Sequence, residues 1–590
     1  MKTTFSNLSL AIFYVTASFV VSVAQTGAQT GAQTGTITGR VVYEDGGGAS
    51  NTAIMLTSVR ANQQATGFRG LADRTVTDEE GKFKFTGLAP GVYMVNAFDI
   101  KGYVREPAPA AETREQRYCR VGDNVTITMV RGGVITGRVT TSIGEPMVGV
   151  GIYPIMVRDV EGHPLRQQFG SRTRMTDDRG IYRLYGLAPG TYVIYTRPEA
   201  FGPGGSPYEG NVPTYHPSST RDTAAEITVA SGSETTGVDI RYRGERGRVV
   251  SGTVAGGVES SSPFIGVGVS LVSLSTGNLI NSSGVRSGEN ANAFAIYGVP
   301  DGDYEIIARR GGGNNEEVLA SAPRRVTVKG ADVTGIELRL APMASISGKI
   351  VLEAAQNACE NRRKTTLEEV ALSARRNAAA GEAVSPFSPL QQDGAPNEKG
   401  DFSIYNLQSG RYYIEPRLPN ENWYAKSIAA AAPPAAANTK AKTSAPADVA
   451  RGGVSLKAGE KLTGLTLTVA EGAASLRGKV AAEKEGARLP SRLRVHLAPA
   501  EAAASDDVLR YAEATVRGDG SFALNNIAPG KYLLIARAVP DDEPSDRLPM
   551  PIAWDTNGRA KLRREAMAAK NEIELQPCGR VKDYVLRFGR

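Results

Sequence analysis

The sequence predicts an all-β chain: five tandem β-sandwich domains behind an N-terminal export signal. Three observations predict it. A segment of the form G-L-A-P-G-x-Y recurs five times. A short alternating segment, I-x-G-x-V, precedes each copy at a nearly constant distance. Between them, apolar and polar residues alternate in short runs broken by Gly, Pro, Asn and Asp about every 8 to 12 residues, the signature of half-buried strands in a sandwich.

The chain begins with Lys2 and an apolar stretch, LSLAIFYVTASFVVSVA (8–24), that ends in the small residues Ser22 and Ala24. This predicts a secretory signal peptide over 1–24, cut after Ala24. No second apolar stretch of spanning length follows. The sequence therefore predicts an exported protein, periplasmic or extracellular, with no integral membrane span once the leader is removed. Residues 25–35 repeat AQTG and read as a flexible linker.

The domains are expected at 36–131, 132–244, 245–342, 343–471 and 472–590. Their opening strands read ITGRV (37–41), ITGRV (135–139), VSGTV (250–254), ISGKI (346–350) and LRGKV (476–480). The tyrosine motif follows as GLAPGVY (87–93), GLAPGTY (186–192), GVPDGDY (298–304), NLQSGRY (406–412) and NIAPGKY (526–532). From the opening Gly to the Gly before x-Tyr the separations are 52, 53, 50, 62 and 52 residues. The long fourth interval holds the polar stretch 385–400. Ahead of each tyrosine motif a polar turn leads into an aromatic or apolar alternation, as in TDEEGKFKF (77–85) and TDDRGIYRL (176–184). Residue pairs such as Phe83/Phe85 and Tyr182/Leu184 then share one strand face. Each domain closes on another alternating segment. Four of these read as two strands joined by a Gly-centred or polar connection. Two stretches depart from the pattern. Residues 429–448 are Ala/Pro-rich and read as a disordered loop; residues 555–572 hold good helix formers and predict one short helix.

The recurring motif is architectural by its residue types. Pro sets the first corner of a type II turn and Gly takes the positive φ of the next. The Leu ahead of it closes the previous strand. The Tyr begins the next strand, with a buried ring and a hydroxyl free to bond nearby backbone. None of these residues is an acid, a base or a metal ligand.

Together, I-x-G-x-V and D-x-x-G-x-F-x-F-x-x-L-x-P-G-x-Y resemble the carboxypeptidase regulatory-like domain. That resemblance covers nearly all of the chain after residue 35. It implies seven-stranded immunoglobulin-like, prealbumin-like sandwiches of the starch-binding-like group, in tandem arrays of the kind exported by acidobacteria. It also implies carbohydrate binding without catalysis. Some adhesin relatives carry Lys–Asn cross-links. Lys349 and Lys479 lie in first strands here, but no Asn stands at a matching place in the closing strands.

Composition narrows the chemistry. The 590 residues carry a formal charge of +7 with no basic stripe, which predicts a solvated surface and no nucleic-acid partner. Three histidines, His163, His216 and His496, match no metal or nucleophile pattern. No catalytic residue, metal or cofactor is expected. The turns at Asp78, Asp177/Asp178 and Asp519 lack calcium-ligand spacing and read as Asx turns. Of the three cysteines, a Cys359–Cys578 bond would staple the last two domains and leave Cys119 as the odd thiol. Sugar sites use aromatic platforms. The candidates are Trp423 and Tyr424, and Tyr208 and Tyr215 in the Gly/Pro-rich loop 201–217. The competing reading packs Tyr215 and Trp423 into their own sandwiches. Two functions stay open: a polysaccharide-binding, adhesive spacer, or a structural array that contacts a cell-envelope protein. A monomer is expected, and the short spacers predict a semi-rigid rod.

Overall fold

Alternation places every second residue of the opening strands in a core, and the structure builds two facing layers around each, which in the third are joined into one eight-stranded sheet. A computed structural model describes residues 34–589, apart from 60–69, 99, 101, 108–117, 166–172, 198–209, 257–265, 286–291, 312–317, 356–358, 360–364, 378–390, 420, 431–446, 485 and 546–548. The leader, residues 25–33 of the AQTG linker and Tyr208 lie outside the described residues, and Gly35 of the expected linker opens the first strand. The fold is all-β, a tandem series of sandwiches.

One plan repeats. In each sandwich the opening strand (Gly35–Tyr43 in the first) lies at the centre of one sheet. It pairs antiparallel with the strand ahead of the tyrosine motif and parallel with the closing strand. The opening Gly is required by that parallel neighbour. A Cβ on Gly39, Gly137, Gly252, Gly348 or Gly478 would sit against the carbonyl oxygen of Val125, Val238, Ile336, Leu465 or Tyr584, respectively. The opposite sheet carries the tyrosine strand, for example Gly190–Arg197 or Gly530–Ala538. Separate apolar cores fill the five sandwiches.

The tyrosine motif is a corner in all five copies. Tyr93, Tyr192, Tyr304, Tyr412 and Tyr532 are buried. Each hydroxyl donates to the carbonyl four residues back: Ala89 (2.7 Å), Ala188 (2.7 Å), Pro300 (2.7 Å), Gln408 (3.0 Å) and Ala528 (2.6 Å). The turn differs from the type II expectation. The left-handed residue stands at the head of the motif, as Gly87, Gly186, Gly298, Asn406 and Asn526, with φ between 59° and 70°. There the pairing with the opening strand slips by one residue in every sandwich. It is a β-bulge, which explains why only Gly and Asn occupy the position. The Gly before x-Tyr instead has φ 146–157° in sandwiches 2 to 5.

Sandwich 5 has the expected seven strands, and sandwiches 1 to 4 have more. In sandwiches 1, 3 and 4 an extra strand covers the outer edge of the closing strand: Tyr103–Arg105, Leu319–Ser321 and Trp423–Ala430. In sandwich 2 the segment 211–217 lies along that edge, with Arg241 N donating to Pro217 O (2.8 Å) and Val212 N to Glu245 O (2.9 Å). The predicted loop 429–448 is strand at both ends, where Ala429 and Ala430 pair with Asp448 and Ala447. In sandwich 5 the corresponding segment makes the helix Thr556–Ala569, capped by Asp555, whose side chain accepts from Asn557 N.

The series does not run as a rod. Arg120 of sandwich 1 donates to Glu369 O (2.9 Å) and Leu418 O (3.3 Å) of sandwich 4. Val59, Val92 and Tyr118 bury with Ala371 and Ala395 across the same junction. Ser545 N of sandwich 5 donates to Pro164 O of sandwich 2 (3.1 Å). Short spacers only fix neighbours; apolar outer faces on sandwiches 1 and 4 bring them together.

Candidate functional site

The outer face of sandwich 2 carries a ladder of tyrosines. Strands Gly151–Arg158, Gly190–Arg197 and Thr214–Tyr215 pair so that Tyr153 lies opposite Tyr195, and Tyr195 opposite Tyr215. Core positions Ile152 and Ile194 point inward, so by strand alternation the tyrosines point out. Their rings stack at 5.1 and 5.0 Å between centroids, tilted by 20° and 29°. Sandwich 3 closes over part of this face. Arg197 lies over the Tyr153 ring, 5.7 Å from its centroid, and its guanidinium donates to Ile280 O. Burial pushes the Tyr195 and Tyr215 phenols upward, so both stay protonated donors.

Between the two sandwiches remains a cleft of about 740 Å³. Tyr195 and Tyr215 form one wall and Tyr304 lies in the other, with Arg221, Asp301 and Asn278 among the polar groups. Burial and then Asp301 and Asp303 raise the Tyr304 phenol to about 12. Arg221 is the singular group. Its Nε is shielded from solvent and has no hydrogen-bond partner among the described residues. An unsatisfied buried donor costs about 1–3 kcal/mol, which a ligand oxygen would recover. The site thus combines stacked rings, one open donor and carboxylates, and it holds no nucleophile–base pair.

The sequence candidates separate here. Tyr215 is in the cleft, but it is nearly buried and stacked in the ladder rather than standing free. Trp423 is 4% exposed and packs in the sandwich 4 core, so it offers no stacking face. Its carbonyl accepts from Asn526 Nδ2 (2.8 Å). Tyr424 is half-buried on the same strand, far along the chain from the tyrosine ladder. Tyr153, Tyr195 and Arg221 carried no sequence signal. Strand alternation marks Tyr153 and Tyr195 as outward, but only the contact with sandwich 3 makes them a wall.

No family model matches the chain, and no curated protein matches it. Among solved structures it is similar to the minor pilin GBS52 of Streptococcus agalactiae, at 13% identity over 35% of this chain and 95% of the pilin, TM-score 0.19. It is similar to BcpA, the major pilin subunit of Bacillus cereus, at 11% identity over 52% of this chain and 99% of the pilin, TM-score 0.14. It is also similar to the TIE protein of Bacillus anthracis, at 10% identity and TM-score 0.14, covering 52% of this chain and 50% of that one. Scores this low record a likeness and carry no functional inference.

The cysteines and histidines complete the map. Cys359 and Cys578 form a disulfide between sandwiches 4 and 5, with Cα atoms 5.6 Å apart. Across the same pair of sandwiches, Arg477 and Arg580 bind the Glu421 carboxylate, and Tyr413 stacks on Trp554 at 4.7 Å. Cys119 is buried, and burial followed by Asp123 raises its thiol to about 11. His496 is buried, its Nδ1 3.5 Å from Glu513. Burial, then Arg537 and Arg494, lower its pKa to about 3. His163 binds Asp159 (3.3 Å), and His216 Nδ1 contacts Asp239 O (2.6 Å). Asp78 and Asp177 accept backbone N–H bonds within their own turns, as does Asn397. Lys349 and Lys479 are exposed. No group of residues able to hold a metal ion occurs among the described residues, and no helix there is long and apolar enough to cross a membrane.

Proposed function

We propose that this is an exported, non-catalytic array of carboxypeptidase regulatory-like sandwiches that binds polysaccharide in the cleft between sandwiches 2 and 3. The observation that carries the reading is Arg221 Nε, an open donor beside the Tyr195–Tyr215 stack. A sugar hydroxyl oxygen would accept from it while the sugar lies against the edges of the stacked rings that line the cleft. The leader at 1–24 and the Cys359–Cys578 bond both support an oxidising compartment outside the cytoplasm. A panel of plant and microbial polysaccharides printed as an array and probed with the whole chain tests it. Retention of at least one polysaccharide is expected; silence across the panel refutes it. The second reading, a structural array that makes protein contacts, is favoured by one observation: among the described residues no strand covers the outer edge of the last closing strand.

A further inference from the structure

The five copies of one plan serve as controls for one another at the closing-strand edge. In sandwiches 1 to 4 a segment of the same domain lies along that edge. In sandwich 5 the closing strand Arg580–Phe588 pairs with Ala474–Ala482 on one side only, and no described strand takes the other. The burial pattern registers the difference. In sandwich 4 the inward residues Leu465, Leu467 and Val469 are all fully buried, with Ile428 of the covering strand set beside Leu467. Their counterparts are Tyr584, Leu586 and Phe588. Leu586 is buried, but Tyr584 and Phe588 are only half-buried, and the outward Val585 is 55% exposed.

We infer that this edge is an interface, and that its occupant is the same strand of a second copy of the chain. Phe588 O accepts from Glu483 N of the opening-strand side (3.2 Å), so Val585 and Arg587 turn their N–H and C=O groups to the free edge. An antiparallel pair centred on Val585 sets Val585 against Val585. It sets Tyr584 against Leu586 on the inward face, continuing the apolar layer. At the end of that ladder Asp583, in the bulge between Val581 and Tyr584 with φ 55°, comes near Arg587 of the other copy, so opposite charges meet on both sides of the two-fold axis. The same strand therefore satisfies the open backbone, the half-exposed apolar layer and the exposed charges. Natural sheets usually cover such an edge, and here only the bulge at Asp583 and the exposed charges of Lys582 and Arg587 interrupt it. This interface is independent of the polysaccharide cleft, and it replaces the monomer expected from the sequence.

The test is the association state of the whole chain by sedimentation velocity from about 1 to 100 μM, the range in which a small interface of this kind associates. The expected result is a concentration-dependent dimer. Val585→Lys and Arg587→Glu should each leave a monomer with an unchanged far-ultraviolet circular dichroism spectrum. The control Val351→Lys, on the exposed face of the covered sandwich 4 sheet, should remain dimeric. Val585→Cys should form an intermolecular disulfide on mild oxidation, because directly opposed residues bring their Cα atoms within disulfide range. A chain that stays monomeric across the range and does not cross-link through Val585→Cys overturns the inference. So does a dimer that both edge variants leave intact.

Discussion

Two junctions of this molecule are built to opposite ends. Sandwiches 4 and 5 are joined by a disulfide, a stacked Tyr413–Trp554 pair, and the Glu421 carboxylate held by two arginines. Arg375 adds a bond to Pro549 O at 2.7 Å. Sandwiches 2 and 3 meet through Arg197 and Ile280 and through the backbone of 210–212 against Glu245, Arg246 and Gly247, and between these contacts they leave a cleft with an unsatisfied arginine in it. The same domain plan thus gives a closed joint and an open one. The difference comes from what each outer face carries: crossing ion pairs and a covalent link in one case, aligned rings with polar loops in the other.

The comparison can be broken most severely in the opening strand of sandwich 5. Gly478→Val drives a branched side chain into the Tyr584 carbonyl. It should cost about 4 kcal/mol or more. Calorimetry should show the transition of sandwich 5 lost or moved far down, with polysaccharide retention kept. Cys578→Ser is milder. Removing the staple should cost about 2–4 kcal/mol in denaturant unfolding of the last two sandwiches, again without touching the cleft. Acid should act within sandwich 5, through a buried histidine. His496 holds its proton less tightly folded than unfolded. Its contribution is therefore whole above about pH 6.5 and is lost as pH falls from there toward about 3. Glu513, raised chiefly by burial, has the opposite sign: its contribution is whole below the ordinary carboxylate pKa and is lost as pH rises through its raised value. His496→Asn should flatten the acid slope in a pH series of unfolding midpoints; an unchanged slope would remove His496 from the account. The smallest effect sharpens the comparison. Tyr532→Phe and Tyr304→Phe each delete one corner hydrogen bond, worth about 1 kcal/mol. Only Tyr304→Phe, which lines the cleft, should also weaken ligand.

Much of the fold was legible because repetition exposes function-free constraints. Five copies of I-x-G-x-V showed where the opening strands lie, and the tyrosine corners followed from a ring that must bury and a hydroxyl that must bond. The helix, predicted over 555–572 and found at Thr556–Ala569, was legible from its formers. The bulge was not, since a Gly or Asn at the motif head reads equally well as a turn residue. The site was least legible. An exposed-aromatic search selected Trp423, whose strand covers a sheet edge and buries the ring. It missed Tyr153, Tyr195 and Arg221: alternation turns the two tyrosines outward, but the neighbouring domain that makes them a wall is not written in their local sequence. Fold-back failed to show for the same reason: Val59 and Val92 look like ordinary strand residues until Ala371 and Ala395 meet them.

The most direct test of the cleft is titration calorimetry of the whole chain with the polysaccharide retained most strongly on the array, for the native chain and for Arg221→Ala. Loss of the Arg221 donor should weaken affinity about tenfold or more, the equivalent of about 1.4 kcal/mol, while Cys578→Ser binds as the native chain does. Equal affinity in the native chain and Arg221→Ala would contradict the placement of the site.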